Sequence, residues 1–367
     1  MNAYINQTNV DQQRASASTG SALAITNTTG SNIKSIQTGL LPAWLGFTGK
    51  TRQNDLDVEF TISLQPGVSG NDITGDGATV SGSSTGSPKQ NFLNRQTYLS
   101  FGDKSWGSIK LGKDLGIFAS DAILSDMTLL GVGSGGGFNS QINSTNGGIG
   151  TGYIYAAWKA QAAYTTPNFN GFQATVGITN PNQLGSAGDG VAQGRYGLEG
   201  KASYAFTAND VTGKVWVSGA SYSATAATYN NVDVWAADIG VNVNVAGLGL
   251  TGYYYGGEGA GITFLGTDGV TSAGKKRDSD GGYVQATYVL PFKTKIGAAW
   301  GQSNLDKADA ADTGTLVKSQ DRWTVGAYHP LTKHLNLVAE YSDIKLESQA
   351  AAKNEYSNVS LGAILFF

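Results

Sequence analysis

The sequence has no cysteine, two histidines and seven prolines in 367 residues. Without cysteine there is no disulfide framework, no thiol nucleophile and no thiolate metal site. The absence also fits an exported bacterial chain that avoids stray disulfides. The two histidines, His329 and His334, flank Pro330 at an expected turn. That leaves little for general-base chemistry, and the chain is not expected to be an enzyme. Few prolines and no Gly-X-Y period exclude a collagen-like chain. Charge is scarce too: Asp, Glu, Lys and Arg make 14%, against roughly 25% in soluble globular proteins. A formal net charge of −3 gives no electrostatic footprint for nucleic acid, which is not expected as a partner. No apolar run approaches the roughly 18 residues of a membrane-spanning helix; residues 362–367 are among the longest. Met1-Asn2-Ala3-Tyr4 has neither a basic start nor an apolar core, so no signal peptide is expected within this chain.

What is present is glycine, with 52 residues, and aromatics, with 17 Tyr, 13 Phe and 7 Trp. That much aromatic surface seeks burial and argues against disorder. The informative signal is alternation with period two. Leu56, Val58, Phe60, Ile62 and Leu64 fall on one face, and Asp57, Glu59, Thr61 and Ser63 on the other. Trp235, Ala237, Ile239, Val241, Val243 and Val245 oppose Ala236, Asp238, Gly240, Asn242 and Asn244. Val359, Leu361, Ala363, Leu365 and Phe367 oppose Asn358, Ser360 and Gly362. Such segments run about ten residues, the length of a tilted strand crossing a bilayer. The polar face also carries full charges: Asp57 and Glu59, then Arg195, Glu199 and Lys201, are read as mid-strand on the non-apolar side. In a sandwich the apolar face would be a dry core. In a membrane barrel it meets lipid, and the polar face lines a wet lumen.

About sixteen strand candidates begin near residues 3, 43, 56, 94, 107, 159, 172, 195, 213, 233, 248, 281, 294, 322, 335 and 354. Short turns alternate with long Gly/Ser/Asn/Asp-rich loops at about 10–35, 67–92, 114–152, 180–193, 222–231, 259–280, 304–320 and 346–353. The expectation is an all-β chain: one domain, 1–367, forming a 16-stranded antiparallel transmembrane β-barrel. Tyr98, Tyr164, Phe206, Tyr253, Trp300, Trp323 and Tyr341 fall near strand ends, which reads as two interfacial girdles, with ordinary strand propensity for aromatics as the alternative. Gly131-Val132-Gly133-Ser134-Gly135-Gly136 matches G-x-G-x-x-G, but no βαβ unit surrounds it, so it reads as a loop tip. Asp306, Asp309 and Asp312 are spaced for weak divalent binding at most, and no cofactor or structural metal is expected.

Several motifs carry a family resemblance. They are Trp44-Leu45-Gly46-Phe47-Thr48-Gly49, Asn94-Arg95-Gln96-Thr97-Tyr98, Trp106-Gly107 through Gly112-Lys113, Tyr164-Thr165-Thr166-Pro167-Asn168-Phe169-Asn170-Gly171-Phe172 and the terminal Phe367. In their order and spacing they resemble the trimeric Gram-negative porins, closest in style to the β-proteobacterial ones. The resemblance implies an outer-membrane homotrimer, in contact with lipid and lipopolysaccharide, through which small hydrophilic solutes diffuse passively. A substrate-selective channel with saturable uptake is the alternative. The departures are specific. Family members open with an apolar first strand several residues before the position matching Tyr4, so a short first strand is expected here. Where the family has an arginine before Leu-Gly-Phe, this chain has Trp44. Where enterobacterial relatives carry another, it has Thr165.

By the same resemblance, residues of about 114–151, after the fifth strand, fold inward as a constriction loop. The residues support this: Phe118, Ile123, Leu124, Met127, Leu129 and Leu130 are too apolar for a solvated loop. The candidate constriction residues are Asp126, Asp121, Arg95, Lys110 and Trp44. Asp126-Met127 matches a pair in the family's loop, which makes Asp126 the leading eyelet acid. The alternative is that both aspartates cap a short helix. Arg95 is expected to face inward, opposite an outward Tyr98; Lys110, between Ile109 and Leu111, also faces inward. Trp44 either stacks on a solute or packs beneath the loop. Lys50 and Arg52 share its parity and lie near a turn, where snorkelling is expected. Lys275-Lys276-Arg277 is a basic triplet in a long loop, either solvated or touching lipopolysaccharide phosphates. The thin basic ladder and slight acidic excess lean the ion preference toward cations.

Overall fold

The structure, a computed structural model, describes residues 1–12, 23, 29–68, 92–135, 144–180, 195–226, 228–310, 312 and 314–367. The strands are β1 (Asn2–Gln12), β2 (Asn32–Gln37), β3 (Leu45–Gln53), β4 (Leu56–Pro66), β5 (Phe92–Leu93) and β6 (Thr97–Asp103). Next come β7 (Gly107–Leu115), β8 (Trp158–Thr165), β9 (Phe172–Thr179), β10 (Gly197–Ala208), β11 (Val211–Ala226) and β12 (Tyr229–Val245). The chain ends with β13 (Leu248–Glu258), β14 (Asp278–Val289), β15 (Lys295–Leu305), β16 (Val317–Pro330), β17 (Leu335–Ser348) and β18 (Lys353–Leu365). One short helix, α1 (Ser120–Ser125), and a 3-10 turn at Met127–Leu130 lie between β7 and β8. Among the described residues no helix is long and apolar enough to cross a membrane.

Every strand pairing is antiparallel. Pairs run from β2 to β1, on to β18, then strand by strand down to β6, β4 and β3. The two-residue β5 pairs with the end of β4. No β2–β3 pair occurs among the described residues, so these two strands are the edges of the sheet. Followed round the antiparallel pairs, they point the same way. They are joined by residues 38–44.

The short connections follow from local backbone chemistry. Asn54 and Asp55 both take positive φ (49° and 62°), as do Ala246 and Gly247 (48° and 85°). Positive φ at both central residues is the two-residue hairpin turn that matches strand twist, and Asn, Asp and Gly tolerate it best.

The alternation runs apolar side out. Phe60, Ile62 and Leu64 are exposed, while Thr61, Ser63 and Gln65 are buried. Ile239 and Val241 are exposed and Asp238 is buried; Val359 and Leu361 are exposed, with Asn358 and Ser360 fully enclosed. A sandwich would bury the apolar row, so this arrangement excludes it.

Several expectations need correcting. β2 falls partly in a stretch read as loop, because its six residues sit among Gly and Pro and do not sustain an alternation. β1 is not short: it pairs with β18 from Asn2 to Gln12. Tyr98 and Tyr253 point inward rather than to a girdle, while Tyr164, Trp300 and Trp323 are outward and exposed. Tyr98 pairs with the inward Thr61. The parity slipped because residues 94–96 leave the ladder: the Asn94 amide donates to the Ser63 carbonyl (2.8 Å) and the Arg95 N–H to Gln65 Oε1 (2.8 Å). The expected loops at 67–92 and 180–193 lie mostly outside the described residues, as does Gly136 of the glycine motif.

Candidate functional site

The segment between β7 and β8 is held by side chains from the inner face of the sheet. Its backbone is mostly irregular, so its amides need partners outside any ladder. Glu199 on β10 supplies the first. One carboxylate oxygen accepts the Ile117 and Phe118 N–H groups (2.6 and 2.9 Å). The other accepts the Lys159 ammonium (2.6 Å) and the Tyr222 hydroxyl. Gln285 on β14 accepts the Met127 N–H (2.9 Å) and donates to the Ser125 carbonyl (2.7 Å). Glu340 on β17 accepts the Val132 and Gly133 N–H groups (2.7 and 2.8 Å) and the Tyr328 hydroxyl (2.6 Å). Asn358 on β18 accepts the Gly135 N–H at 3.2 Å. One segment thus touches the inner faces of strands from β10 to β18, so the sheet curves round it. Charge-assisted bonds to carboxylates are stronger than neutral ones, so Glu199 and Glu340 are its main clamps.

Apolar packing completes the attachment. Phe118, Ile123, Ile149, Tyr153 and Ile154 cluster with Trp216, Tyr222, Tyr253, Tyr255 and Tyr283 of β11, β13 and β14. Met127 and Val132 pack with Tyr4, Tyr328 and Val338. Aromatic side chains thus lie among the polar residues of the inward rows beneath the segment. Leu124 is the exception on the segment. Read as needing an apolar partner, it is 57% exposed.

The five candidate residues occupy different environments. Asp126 is buried. One of its carboxylate oxygens caps the 3-10 turn by accepting the Thr128 N–H and hydroxyl (both 2.8 Å). The other accepts the Tyr153 hydroxyl (2.8 Å) and lies 4.0 Å from Arg322 on β16. Asp126 thus fixes the segment's own shape, and the capping alternative describes its geometry. Burial and the Asp126 carboxylate hold the Tyr153 hydroxyl well above its usual range, so it remains a donor. Asp121, in α1, pairs with Lys201 on β10 (3.0 Å) and Lys214 on β11. Burial would raise its pKa, but the two lysines outweigh this and hold it below the usual carboxylate range.

Arg95 is buried, with its guanidinium 5.6 Å from the Trp158 ring. Trp158 also packs on Trp44, centroids 5.6 Å apart. Trp44 therefore joins an aromatic–cation stack while remaining 41% exposed. Lys110 pairs with Asp114 and lies over the Tyr98 ring (4.7 Å). These five residues do not form one cluster.

The wall of β3, β4, β6 and β7 is different. Lys50 pairs with Glu59 (2.7 Å), and Arg52 with Asp57 (2.8 Å) and Asp103 (2.9 Å). These residues line a cavity of about 840 Å³ near the short-turn end. Thr48, of the same parity as Lys50, bonds Thr61 (3.0 Å) on the enclosed face, so Lys50 and Arg52 belong to the inner wall rather than to a lipid interface.

The outer loops are tied by ion pairs. Arg277 binds Asp312 through two nitrogens (2.9 and 2.6 Å), Lys276 binds Glu258 (2.6 Å) and Lys275 binds Asp309. The basic triplet is thus engaged within the chain. Among the described residues no cluster of His, Asp or Glu could hold a metal ion. Sequence reasoning missed Glu340, Lys159, Lys214 and Arg322 as functional positions. Their strand parity was legible, but their partners lie far along the chain.

An antiparallel sheet with lipid-compatible residues outside, charged residues inside and an irregular segment within is the framework of a membrane channel. The sequence profile described as Gram-negative porin matches residues 7–349. The chain belongs to that family, and it is an outer-membrane channel for passive diffusion of small solutes. A search of curated protein sequences finds no significant match. Among solved structures, the outer-membrane channel DcaP of Acinetobacter baumannii has a TM-score of 0.68 at 14% identity, covering 100% of this chain and 95% of that one. OmpF of Salmonella typhi, solved with daunomycin, has a TM-score of 0.61 at 13% identity, covering 100% and 96%. In-vitro folded OmpT of Vibrio cholerae has a TM-score of 0.57 at 13% identity, covering 100% and 97%.

Proposed function

We propose that the chain forms a closed sixteen-stranded barrel, a single domain over 1–367, whose lumen is narrowed on one side by the segment between β7 and β8. The supporting observation for closure is the geometry of β2 and β3. They follow one another in sequence, point the same way and are the two edges of the sheet. Taken as outer and inner halves of one crossing, and with the two-residue β5 left aside, the strands make sixteen crossings. The segment then acts as the constriction. It fills the half of the lumen facing β10 to β18, clamped by Glu199, Gln285 and Glu340. The open path runs along β3, β4, β6 and β7, where Thr48, Lys50, Arg52 and Lys110 keep solvent contact, and past α1, where Lys201 on β10 and Lys214 on β11 do the same.

In this reading Lys110 lines the path, and Asp121 lies behind Lys201 and Lys214 and holds them toward it. Asp126, Arg95 and Trp44 position its walls. A wall of paired charges suits general diffusion of hydrated solutes and makes passage of apolar ones costly. The assembly is a homotrimer in the outer membrane, against lipid and lipopolysaccharide; OmpT of Vibrio cholerae has been solved in a trimer form.

Cysteine accessibility tests the path. S100C, on the open wall, is expected to react with a charged, membrane-impermeant thiol reagent and to lower conductance. A220C, beneath the segment, is expected to stay unreactive. Equal reactivity at both positions would place the segment outside the lumen.

A further inference from the structure

We propose that this channel prefers small anions, and that Lys201 and Lys214 together form a passage subsite for a carboxylate or phosphate group. The proposal rests on the porin reading above and adds to it the class of solute. The carrying observation is how the inner-wall ion pairs are oriented. Lys50 is 71% exposed and its partner Glu59 25%. Lys110 is 35% exposed and Asp114 11%. Lys201 and Lys214 are 26% and 38% exposed, and the Asp121 they share is 8% exposed. In each case the carboxylate lies back and the ammonium reaches toward the water. Arg52 and Asp57, at 47% and 53%, are the balanced pair.

The Lys201–Asp121–Lys214 group goes furthest, since two ammonium groups share one carboxylate. Lys201 also donates to Ser120 Oγ (2.9 Å), which fixes its direction. The carboxylates behind them are buried. Asp238 is held by the Ser218 and Tyr253 hydroxyls (2.7 and 3.0 Å). Glu199 is covered by Lys159, Tyr222 and two backbone N–H groups. Asp126 faces Arg322. A solute moving past α1 therefore meets ammonium groups first. Walls of low dielectric focus such a field and raise the local concentration of the opposite charge by roughly tenfold or more. The chain's net charge of −3 does not decide this, because it sums acids on outer loops and buried acids that the solute never touches.

The test uses the full chain refolded into a planar bilayer, with a tenfold KCl gradient and inorganic phosphate as the probe solute. The expected reversal potential has the sign of chloride preference, with a chloride-to-potassium permeability ratio above about 3. Phosphate is expected to block the chloride current. In K201Q/K214Q the ratio should fall toward 1, and the half-blocking phosphate concentration should rise about tenfold. K201R/K214R keeps both charges and should keep the preference, which separates charge from folding. Potassium preference in the unmodified protein would overturn the proposal. So would a glutamine pair with the original ratio, or a loss of preference in the arginine pair. If no conductance steps appear at all, the porin reading fails and the proposal falls with it.

Discussion

Replacing Glu199 by glutamine should free the start of the inward segment. The carboxylate accepts four donors: Ile117 N–H, Phe118 N–H, the Lys159 ammonium and the Tyr222 hydroxyl. Lys159 and Glu199 are 4% and 0% exposed, so this is a buried pair. Removing one partner of such a pair costs about 3–5 kcal/mol, because it leaves the other charge uncompensated. A carboxamide cannot replace the carboxylate. If its oxygen faces the backbone N–H groups, its NH₂ meets the Lys159 ammonium, donor against donor; the flipped rotamer reverses the conflict. At the lower bound, and with tenfold per 1.4 kcal/mol, the anchored state loses a factor of about 100 against the released one. Amide hydrogen exchange in detergent micelles reads this directly. In E199Q, protection of the Ile117 and Phe118 amides should fall by about 100-fold, while the β16–β17 ladder stays unchanged. Protection within about threefold of the unmodified protein would refute the clamp.

Other predictions follow from the same geometry. A Cβ at Gly131 would run into the Glu340 carboxylate, so Gly131→Ala should destabilise the folded barrel by about 1–3 kcal/mol, measured as a lower temperature of heat modification on gels. Ile239 faces outward, and Ile239→Arg should cost about 2–4 kcal/mol in urea-controlled folding into vesicles if that face meets lipid. Hydrogen bonding from Arg277 outweighs burial and holds Asp312 at about 2. Its folded value is thus depressed below the unfolded value of roughly 3.9, so the tie between the outer loops is complete above about pH 4 and is lost as pH falls toward 2. Pepsin cleavage of those loops should rise across that window, and D312N should already be cleaved at pH 4.

The strands and their faces were legible because period-two alternation is a local property. Each run from Leu56, Trp235 and Val359 carries its own orientation, and the charges on the opposite row say that this row is wet. Tyr98 was misread because parity counts through a ladder and cannot register residues 94–96 stepping out of it. β2 was missed because six residues with few apolar positions are too short to declare a period. Within the site, sequence could name Asp121 and Asp126 and say that the segment around them is too apolar for solvent. It could not pair them. Lys201 and Lys214 lie 80 and 93 positions beyond Asp121, and sheet curvature, not spacing, brings them together. Nor could it see that aromatics share the inner wall beneath the segment, since Tyr253 and Tyr283 gain their meaning only from the segment lying over them.

The most direct test of the account is single-channel conductance in a planar bilayer as KCl is raised from 0.1 to 3 M. A water-filled path along the charged wall predicts discrete steps that grow nearly in proportion to the salt concentration and close in groups of three. Absent steps, or a conductance that saturates well below 1 M, would contradict an open diffusion channel.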